Sequence, residues 1–317
     1  MILITGAGGF LGNHLIKRLV SAGFDVVPLY RGSQVKIRDN RWEADLSNPK
    51  HIAQLQNVGL VPHTVVHLAG HIDILLKPNP LSPLMPPLPG KEDIYALYNE
   101  NVLTTANVLA YCLYSGVKHI IHASTQAVYG MPSDERLTED SVCRPIEHYA
   151  ASKICSESVL KVGAQQGMSV SVLRFPGLYD ENRREGTVYR FCMSALQKGR
   201  IHVKADVPLP IDVIHVEDVV DAFEKTIYFN GKDWTCLNIS TGEPCNLNIL
   251  ADSIAELVPG CEVEHAVITQ PVVCMDSTNA YSILGWKAIP RRKRLSLMID
   301  SLKKSDEFNI KEEAPRG

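Results

Sequence analysis

The first twelve residues limit what this chain can fold into more than any other stretch. Ile2-Leu3-Ile4-Thr5 is a short β-rich apolar run that leads straight into Gly6-Ala7-Gly8-Gly9-Phe10-Leu11-Gly12, and then into an amphipathic stretch from Asn13 to Ala22. Strand, glycine turn and helix, in that order, is the context in which a glycine-rich loop cradles phosphate rather than serving as a plain turn. Gly6, Gly9 and Gly12 have separate duties. The first permits the tight turn, the second lets backbone N–H groups approach a pyrophosphate, and the third lets the helix pack close to the strand. The helix start adds partial positive charge where phosphates would lie.

The second strand, Asp25 to Tyr30, ends where a dinucleotide-binding chain places an acid for the adenosine ribose. Here Tyr30 and Arg31 occupy that point, followed by Gly32 and Ser33. With no carboxylate, and with a guanidinium suited to bidentate phosphate contacts, the site leans toward NADP(H) over NAD(H). A surface arginine that stacks on adenine or meets solvent is the other reading of Arg31. Asp45-Leu46 also has two readings: the acid accepts from the adenine amino group, or it caps the helix that Ser47-Asn48-Pro49 begins. Thr64 to Ala69 is a third buried strand, ending in His67-Leu68-Ala69-Gly70. Residues 71–98 then carry Pro78, Pro80, Pro83, Pro86, Pro87 and Pro89, which can continue neither a helix nor a central strand. So long a loop is a lid or a passive insertion. Asn101 to Ser115 has the apolar spacing of a helix, and His119 to Ala123 is a fourth strand, so the chain reads as α/β.

That fourth strand runs into Ser124-Thr125-Gln126-Ala127-Val128-Tyr129-Gly130, and Tyr149-Ala150-Ala151-Ser152-Lys153 follows. On a helix, residues 149 and 153 are one turn apart, so a phenol and an ammonium share one patch of surface. A free phenol has a pKa near ~10, and a nearby cation favours the phenolate, which makes the pair a candidate base. A tyrosine and lysine at this spacing also occur on solvated helix faces. The hydroxyl of Thr125 at a strand's carboxyl end is what favours the catalytic reading.

These motifs together resemble the extended short-chain dehydrogenase/reductase family, the group containing nucleotide-sugar epimerases and dehydratases. The resemblance covers residues 1 to about 240. It is carried by Thr-Gly-x-x-Gly-Phe-x-Gly at 5–12, His-Leu-Ala at 67–69, Asn101-Val102, Ser-Thr-x-x-Val-Tyr-Gly at 124–130 and Tyr-x-x-x-Lys at 149–153. Leu-Arg-Phe at 173–175 and Asp-Val-Ile-His-Val-Glu-Asp-Val at 212–219 complete it. It implies a Rossmann-type doubly wound parallel sheet with a smaller carboxyl-terminal substrate-binding lobe. The dinucleotide domain would take 1–176 plus 206–240, and the lobe 177–205 plus 241–317.

Carried over residue by residue, the resemblance makes Tyr149 the general acid/base, with Lys153 lowering its pKa and binding the nicotinamide ribose. Thr125 would hydrogen-bond the reacting oxygen, assisted by Ser124. The implied cofactor set is Gly6, Gly9, Phe10, Leu11, Gly12, Arg31, Ser33, Asp45, Leu46, Leu68, Ala69, Gly70, Asn101, Tyr149, Lys153 and Phe175. The implied substrate set is Ser124, Thr125, Gln126, His71, Arg183 and Arg184. The reaction would remove a hydroxyl proton as the carbon's hydrogen leaves as hydride. Release of the ketone is dehydrogenation, and return of the hydride to the other face is epimerisation. Gln126 and Ala127 stand where dehydratases of the family usually carry an acidic pair, which argues against 4,6-dehydration. Family members that grip a sugar nucleotide's diphosphate often have an arginine where this chain has Ile211, and a second near Gln270-Pro271. Arg183, Arg184 and Arg190 are substitute cations or plain surface charges. A carbonyl reductase acting on a substrate without a nucleotide is therefore the competing expectation, and a cofactor-sensing protein without turnover the third.

Beyond the motifs, Val170 to Phe175 is a further strand, the segment from Ile211 to Tyr228 and Leu237 to Ser240 returns to the sheet, and Arg291-Arg292-Lys293-Arg294 begins a last helix as a solvated face. With 32 basic against 35 acidic side chains, nothing draws the chain toward nucleic acid or an anionic membrane. The eight cysteines show neither Cys-x-x-Cys nor zinc spacing, so no metal is expected and the thiols read as reduced and mostly buried. The opening strand leaves no room for a signal peptide, and no apolar run reaches the ~18 residues of a membrane span, so a cytoplasmic protein is expected. Helices at 101–115 and 147–166 match those of the family's dimer interface, so a homodimer is expected too.

Overall fold

The computed structural model describes residues 1–38, 40–59, 61–72, 91–131, 136–204, 211–229, 231, 233–268 and 272–304. The elements of the sheet half are β1 (Ile2–Thr5), α1 (Phe10–Ser21), β2 (Val26–Tyr30), β3 (Lys36–Arg38), β4 (Arg41–Glu43), α2 (Pro49–Gln56) and β5 (Thr64–His67). They continue with α3 (Lys91–Tyr98), a π turn (Asn99–Leu103), α4 (Thr104–Ser115), β6 (His119–Thr125), β7 (Arg136–Leu137), α5 (His148–Gln165) and β8 (Ser169–Phe175). The carboxyl-terminal half adds β9 (Gly177–Tyr179), α6 (Thr187–Lys198), β10 (Arg200–His202), β11 (Val213–His215), α7 (Val216–Tyr228) and β12 (Trp234–Asn238). Last come α8 (Leu247–Ala255), β13 (Glu262–Glu264), β14 (Cys274–Met275), α9 (Thr278–Leu284) and α10 (Arg291–Lys304).

Eight strands build the central sheet in the order β12-β8-β6-β5-β1-β2-β4-β3, parallel throughout except for β3. Strand order reverses between β1 and β5, which opens a crevice at their carboxyl ends. Every residue of β1 and β5 is buried, as expected for parallel strands covered on both faces. Alternation along the strands divides their side chains between two cores. Leu3, Val65 and Ile120 face Val108 and Leu160 of α4 and α5, while Ile4, Val66 and Ile121 face Leu15 of α1 and Phe223 of α7. A third core, including Cys192, Leu250, Ile254 and Met298, joins α6, α8 and α10 into the smaller lobe.

The structure shifts several expected boundaries. Helix α1 begins at Phe10 rather than Asn13, which puts Gly12 inside it. Of the segment expected as a proline-rich loop, residues 91–98 form α3, and 73–90 lie outside the described residues. Strand β11 does not return to the central sheet but pairs with β9, so among the described residues β12 alone extends the sheet beyond β8. Only half of the basic run is a solvated face: Arg292 and Lys293 are exposed, whereas Arg291 and Arg294 are drawn inward. Arg291 is 3% exposed and lies 3.5 Å from the fully buried Asp212, and Arg294 makes two hydrogen bonds to Asp218 (2.7 and 2.9 Å). All eight cysteines are free thiols, but only Cys112, Cys192 and Cys245 are buried and Cys155 is exposed. No helix among the described residues is long and apolar enough to cross a membrane.

Candidate functional site

The crevice begins at the glycine loop, where space decides the residue types. Gly6 sits at φ +67°, and a Cβ on it would come within 2.7 Å of the Ala69 nitrogen. A Cβ on Gly12 would lie 2.4 Å from the Gly6 carbonyl oxygen, so α1 can approach the loop this closely only without a side chain there. Within α1 the first backbone bond runs from Asn13 N–H to Gly9 C=O (3.0 Å), which leaves the N–H groups of Phe10, Leu11 and Gly12 at the open end. Among the described residues no side chain caps this end, and its first turn holds no acid, so it is built to receive a negative group such as a pyrophosphate. The Leu11 side chain turns away into the core.

Beside the loop, Gly6, Leu29, Ala44 and Leu46 wall a pocket with Asp45 and Ser47 among its polar groups. Its size and apolar walls suit an adenosine. Asn48, not Asp45, caps α2, accepting from Lys50 N–H (3.0 Å); Asp45 accepts from both the backbone N–H and the hydroxyl of Ser47 (3.0 and 2.7 Å). Arg31 also lines the pocket, but its guanidinium is 2.9 Å from a carboxylate oxygen of Glu100. The other Glu100 oxygen lies 3.5 Å from His71 Nδ1, so His71 stands beside this pocket. Ser33 is exposed outside these walls.

A buried hydrogen-bond chain fixes the loop after β5. Ala69 N–H donates to Thr5 Oγ1 (3.1 Å), the Thr5 hydroxyl reaches His67 Nδ1 (2.8 Å), His67 Nε2 reaches Thr105 Oγ1 (3.1 Å), and Thr105 donates to the Asn101 carbonyl (2.6 Å). These partners require a neutral His67 carrying its proton on Nε2. Burial pushes its pKa down to about 3, which agrees. The Asn101 side chain is consumed in the same task. It donates to His71 C=O (3.0 Å) and Ser152 Oγ (2.8 Å) and accepts from His71 N–H (2.7 Å), so it ties this loop to α5. Gly70 has no room for a side chain, because a Cβ would meet the Asn101 Oδ1 at 2.7 Å. Leu68 packs into the core beneath.

Thr125 ends β6, and its hydroxyl oxygen accepts from Ala127 N–H (3.2 Å); its side chain also lies beside the phenol of Tyr149, which the first turn of α5 carries. Lys153, one turn further along, is 6% exposed. Burial pushes the phenol of Tyr149 above its ordinary range, Glu147 adds to this, and the neighbouring Thr125 hydroxyl opposes it. Burial also pushes Lys153 down to about 8, against the pull of Glu157. Burial therefore governs the phenol here, against the expectation of a phenolate drawn down by the lysine. Phe175 stands opposite Thr125 in the sheet register and packs edge-on to Phe223.

Ser124 does not assist. Being one residue before Thr125 on a strand, it faces the other way, is 2% exposed and donates to Glu157, which is itself paired with Arg174 (2.6 Å). Gln126 is buried. Arg183 packs over the Phe10 ring at 5.2 Å and donates to the Leu178 carbonyl (2.8 Å), which brings it to the glycine loop, whereas Arg184 is exposed. Ile211 is packed against the apolar core of the lobe.

This geometry has counterparts among known proteins. A model of the NAD dependent epimerase/dehydratase family matches residues 2–77 and 90–234. The chain belongs to that family. A UDP-glucose 4-epimerase of Mycolicibacterium smegmatis is 26% identical over 90% of this chain and 92% of its own length. Among solved structures, MoeE5 in complex with UDP-glucuronic acid and NAD is 28% identical with a TM-score of 0.74, covering 96% of this chain and 99% of that one. TunA, an NAD-dependent NDP-hexosamine 5,6-dehydratase, is 25% identical with a TM-score of 0.71, covering 96% and 98%. Membership makes the chain an NAD-dependent enzyme of epimerase/dehydratase type. Sequence reasoning missed Glu100, Glu147 and His67 as groups packed around this candidate site. Only His67 and Glu100 left a trace, one inside the His-Leu-Ala motif and the other directly before Asn101.

Proposed function

We propose that this chain is an epimerase acting at a hydroxyl or keto carbon of a sugar nucleotide. The observation that carries the reading is the meeting of Thr125, at the carboxyl end of β6, with Tyr149 of α5, one helical turn from the buried Lys153. Sugar nucleotides in the names of similar proteins supply the substrate class. The N–H groups at the start of α1 would hold the dinucleotide's pyrophosphate, and Lys153 its nicotinamide ribose. Bound there, the cofactor supplies a hydride acceptor and donor.

Tyr149 works at the substrate oxygen. Its raised pKa keeps it protonated at neutral pH, the form that donates a proton when a ketone becomes a hydroxyl. Removing a hydroxyl proton needs the phenolate instead, and the neighbouring cationic form of Lys153 favours that form. Thr125 fixes where the oxygen sits. Arg183, held over Phe10, is placed to meet a diphosphate at the glycine loop, with Arg184 beyond it. Residues 177–205 and 241 onward take the sugar nucleotide, while 1–176 and 206–240 take the cofactor. Exposed Tyr114 on α4 and Val162 on α5 support a homodimer through these helices, and eight free thiols suit a cytoplasmic setting.

Replacing Tyr149 by Phe tests the assignment. Hydride exchange between labelled cofactor and substrate should fall by about 10²- to 10⁴-fold while cofactor binding, read by fluorescence, is kept. Full activity in that variant removes Tyr149 as the acid/base. Thermal-shift screening of UDP-, GDP-, TDP- and CDP-sugars tests the substrate class, and the sugar-nucleotide reading goes if none of them stabilises the protein.

A further inference from the structure

We infer that Glu100 determines which dinucleotide this protein takes, binding the adenosine ribose through its 2′-hydroxyl and rejecting a 2′-phosphate, so that NAD(H) is preferred. The inference rests on the dinucleotide reading above. Strand β2 ends in Tyr30-Arg31 with no carboxylate, and from the sequence alone its guanidinium points to NADP(H). Folding brings an acid to the same place from the other side of the pocket. The π turn of Asn99–Leu103 carries Glu100 to the pocket wall, while its neighbour Asn101 is pinned by Ser152 and His71 on an adjoining face of the turn.

Glu100 is the better held of the two charged partners. Its side chain is 23% exposed against 72% for Arg31, and its two oxygens bridge Arg31 (2.9 Å) and His71 (3.5 Å) across the pocket. Arg31 therefore reaches a phosphate only by leaving a carboxylate. The nearby cations Lys36 and Arg41 are not in reserve, since both are paired with Glu43 (3.5 and 3.2 Å). The pocket wall holds two carboxylates, Asp45 and Glu100, against one guanidinium. A 2′-phosphate brings roughly −1.5 to −2 further charge at neutral pH. A ribose hydroxyl brings none, and it has a proton to donate to an ionised acceptor, the stronger class of hydrogen bond.

The test uses the full chain without substrate, titrating NADH and NADPH and reading nicotinamide fluorescence. NADH should bind at least about tenfold tighter than NADPH. Glu100→Gln should narrow that ratio by about tenfold, mainly through tighter NADPH as Arg31 is released, and adding Arg31→Ala to Glu100→Gln should take the gain away. A wild-type preference for NADPH, or an unchanged ratio in Glu100→Gln, overturns the inference while leaving dinucleotide binding intact. Glu100→Ala, which removes the carboxylate without an amide to replace it, must narrow the ratio as well. If the wild type binds neither nucleotide, the dinucleotide reading falls, and this inference with it.

Discussion

Lys153 is the residue whose surroundings make the sharpest demand. Its ammonium is nearly fully buried, and burial lowers its pKa to about 8. The unfolded chain then holds the Lys153 proton at pH values where the folded chain has released it. This residue therefore weakens the fold at neutral pH, and stability rises between about pH 8 and the ordinary lysine pKa of ~10.4. Lys153→Met should be inactive but melt higher than wild type at pH 7, by on the order of 3 kcal/mol at most, and the gap should close as pH approaches 10. Paired thermal melts at the two pH values check this, and a variant less stable at pH 7 would show that the ammonium is better satisfied than its burial implies. Gly12 makes a steric demand. Gly12→Ala puts a Cβ 2.4 Å from the Gly6 carbonyl, so α1 must move off the loop. The expected result is about 1–3 kcal/mol of lost stability together with weaker cofactor binding, measured by denaturant titration and cofactor fluorescence.

At the scale of elements, the start of α10 shows how unequal neighbouring charges can be. Arg291 donates to Pro244 C=O (3.1 Å) and Glu243 C=O (2.8 Å) and stands against Asp212, which also accepts from the Ser240 hydroxyl (2.7 Å) and Val213 N–H (2.7 Å). This cluster fastens α10 to the β11 segment and to the turn before α8. Burial raises Asp212 to about 6, with Ser240 and Arg291 drawing it the other way, so it is charged at neutral pH and depends on its cation. Arg291→Met should therefore cost about 3–5 kcal/mol by stranding a buried charge. The adjacent Arg292 pairs with Glu256 in solvent, and Arg292→Met should cost less than about 1 kcal/mol. Urea titration of both variants distinguishes a structural cluster from a decorative one.

For the whole molecule, α5 links chemistry to architecture. Its first turn carries Tyr149, its second Lys153 and its third Glu157, which receives Arg174 from β8 and Ser124 from β6. Arg174 also donates to the Tyr129 hydroxyl (3.1 Å), which donates to Asn238 at the end of β12 (2.7 Å). Helix α5 is thus bolted to three strands of the sheet through buried polar groups. A ligand that fills the crevice stabilises the folded form by mass action, so NADH at a hundredfold excess over its dissociation constant should add about 2.7 kcal/mol, seen as a higher melting temperature. No shift with any dinucleotide would show that the crevice does not bind one.

Sequence by itself determined what depends on neighbours along the chain. The run Ile2–Thr5 followed by Gly6, Gly9 and Gly12 specified a strand, a turn and a closely packed helix, and the spacing of Tyr149 and Lys153 specified a shared helix face, because both are set by local backbone geometry. Strand alternation contained the fact that Ser124 faces away from Thr125, but the motif that joins the two hid it. Tertiary structure decided the pairings between distant segments. Glu100 against Arg31, Arg291 against Asp212 and the burial that sets the pKa values of Tyr149 and Lys153 all arise when sheet, helices and lobe close on one another. A charge read from a sequence has a sign but no partner and no dielectric, and those two quantities turned an apparent phosphate ligand into one half of an ion pair.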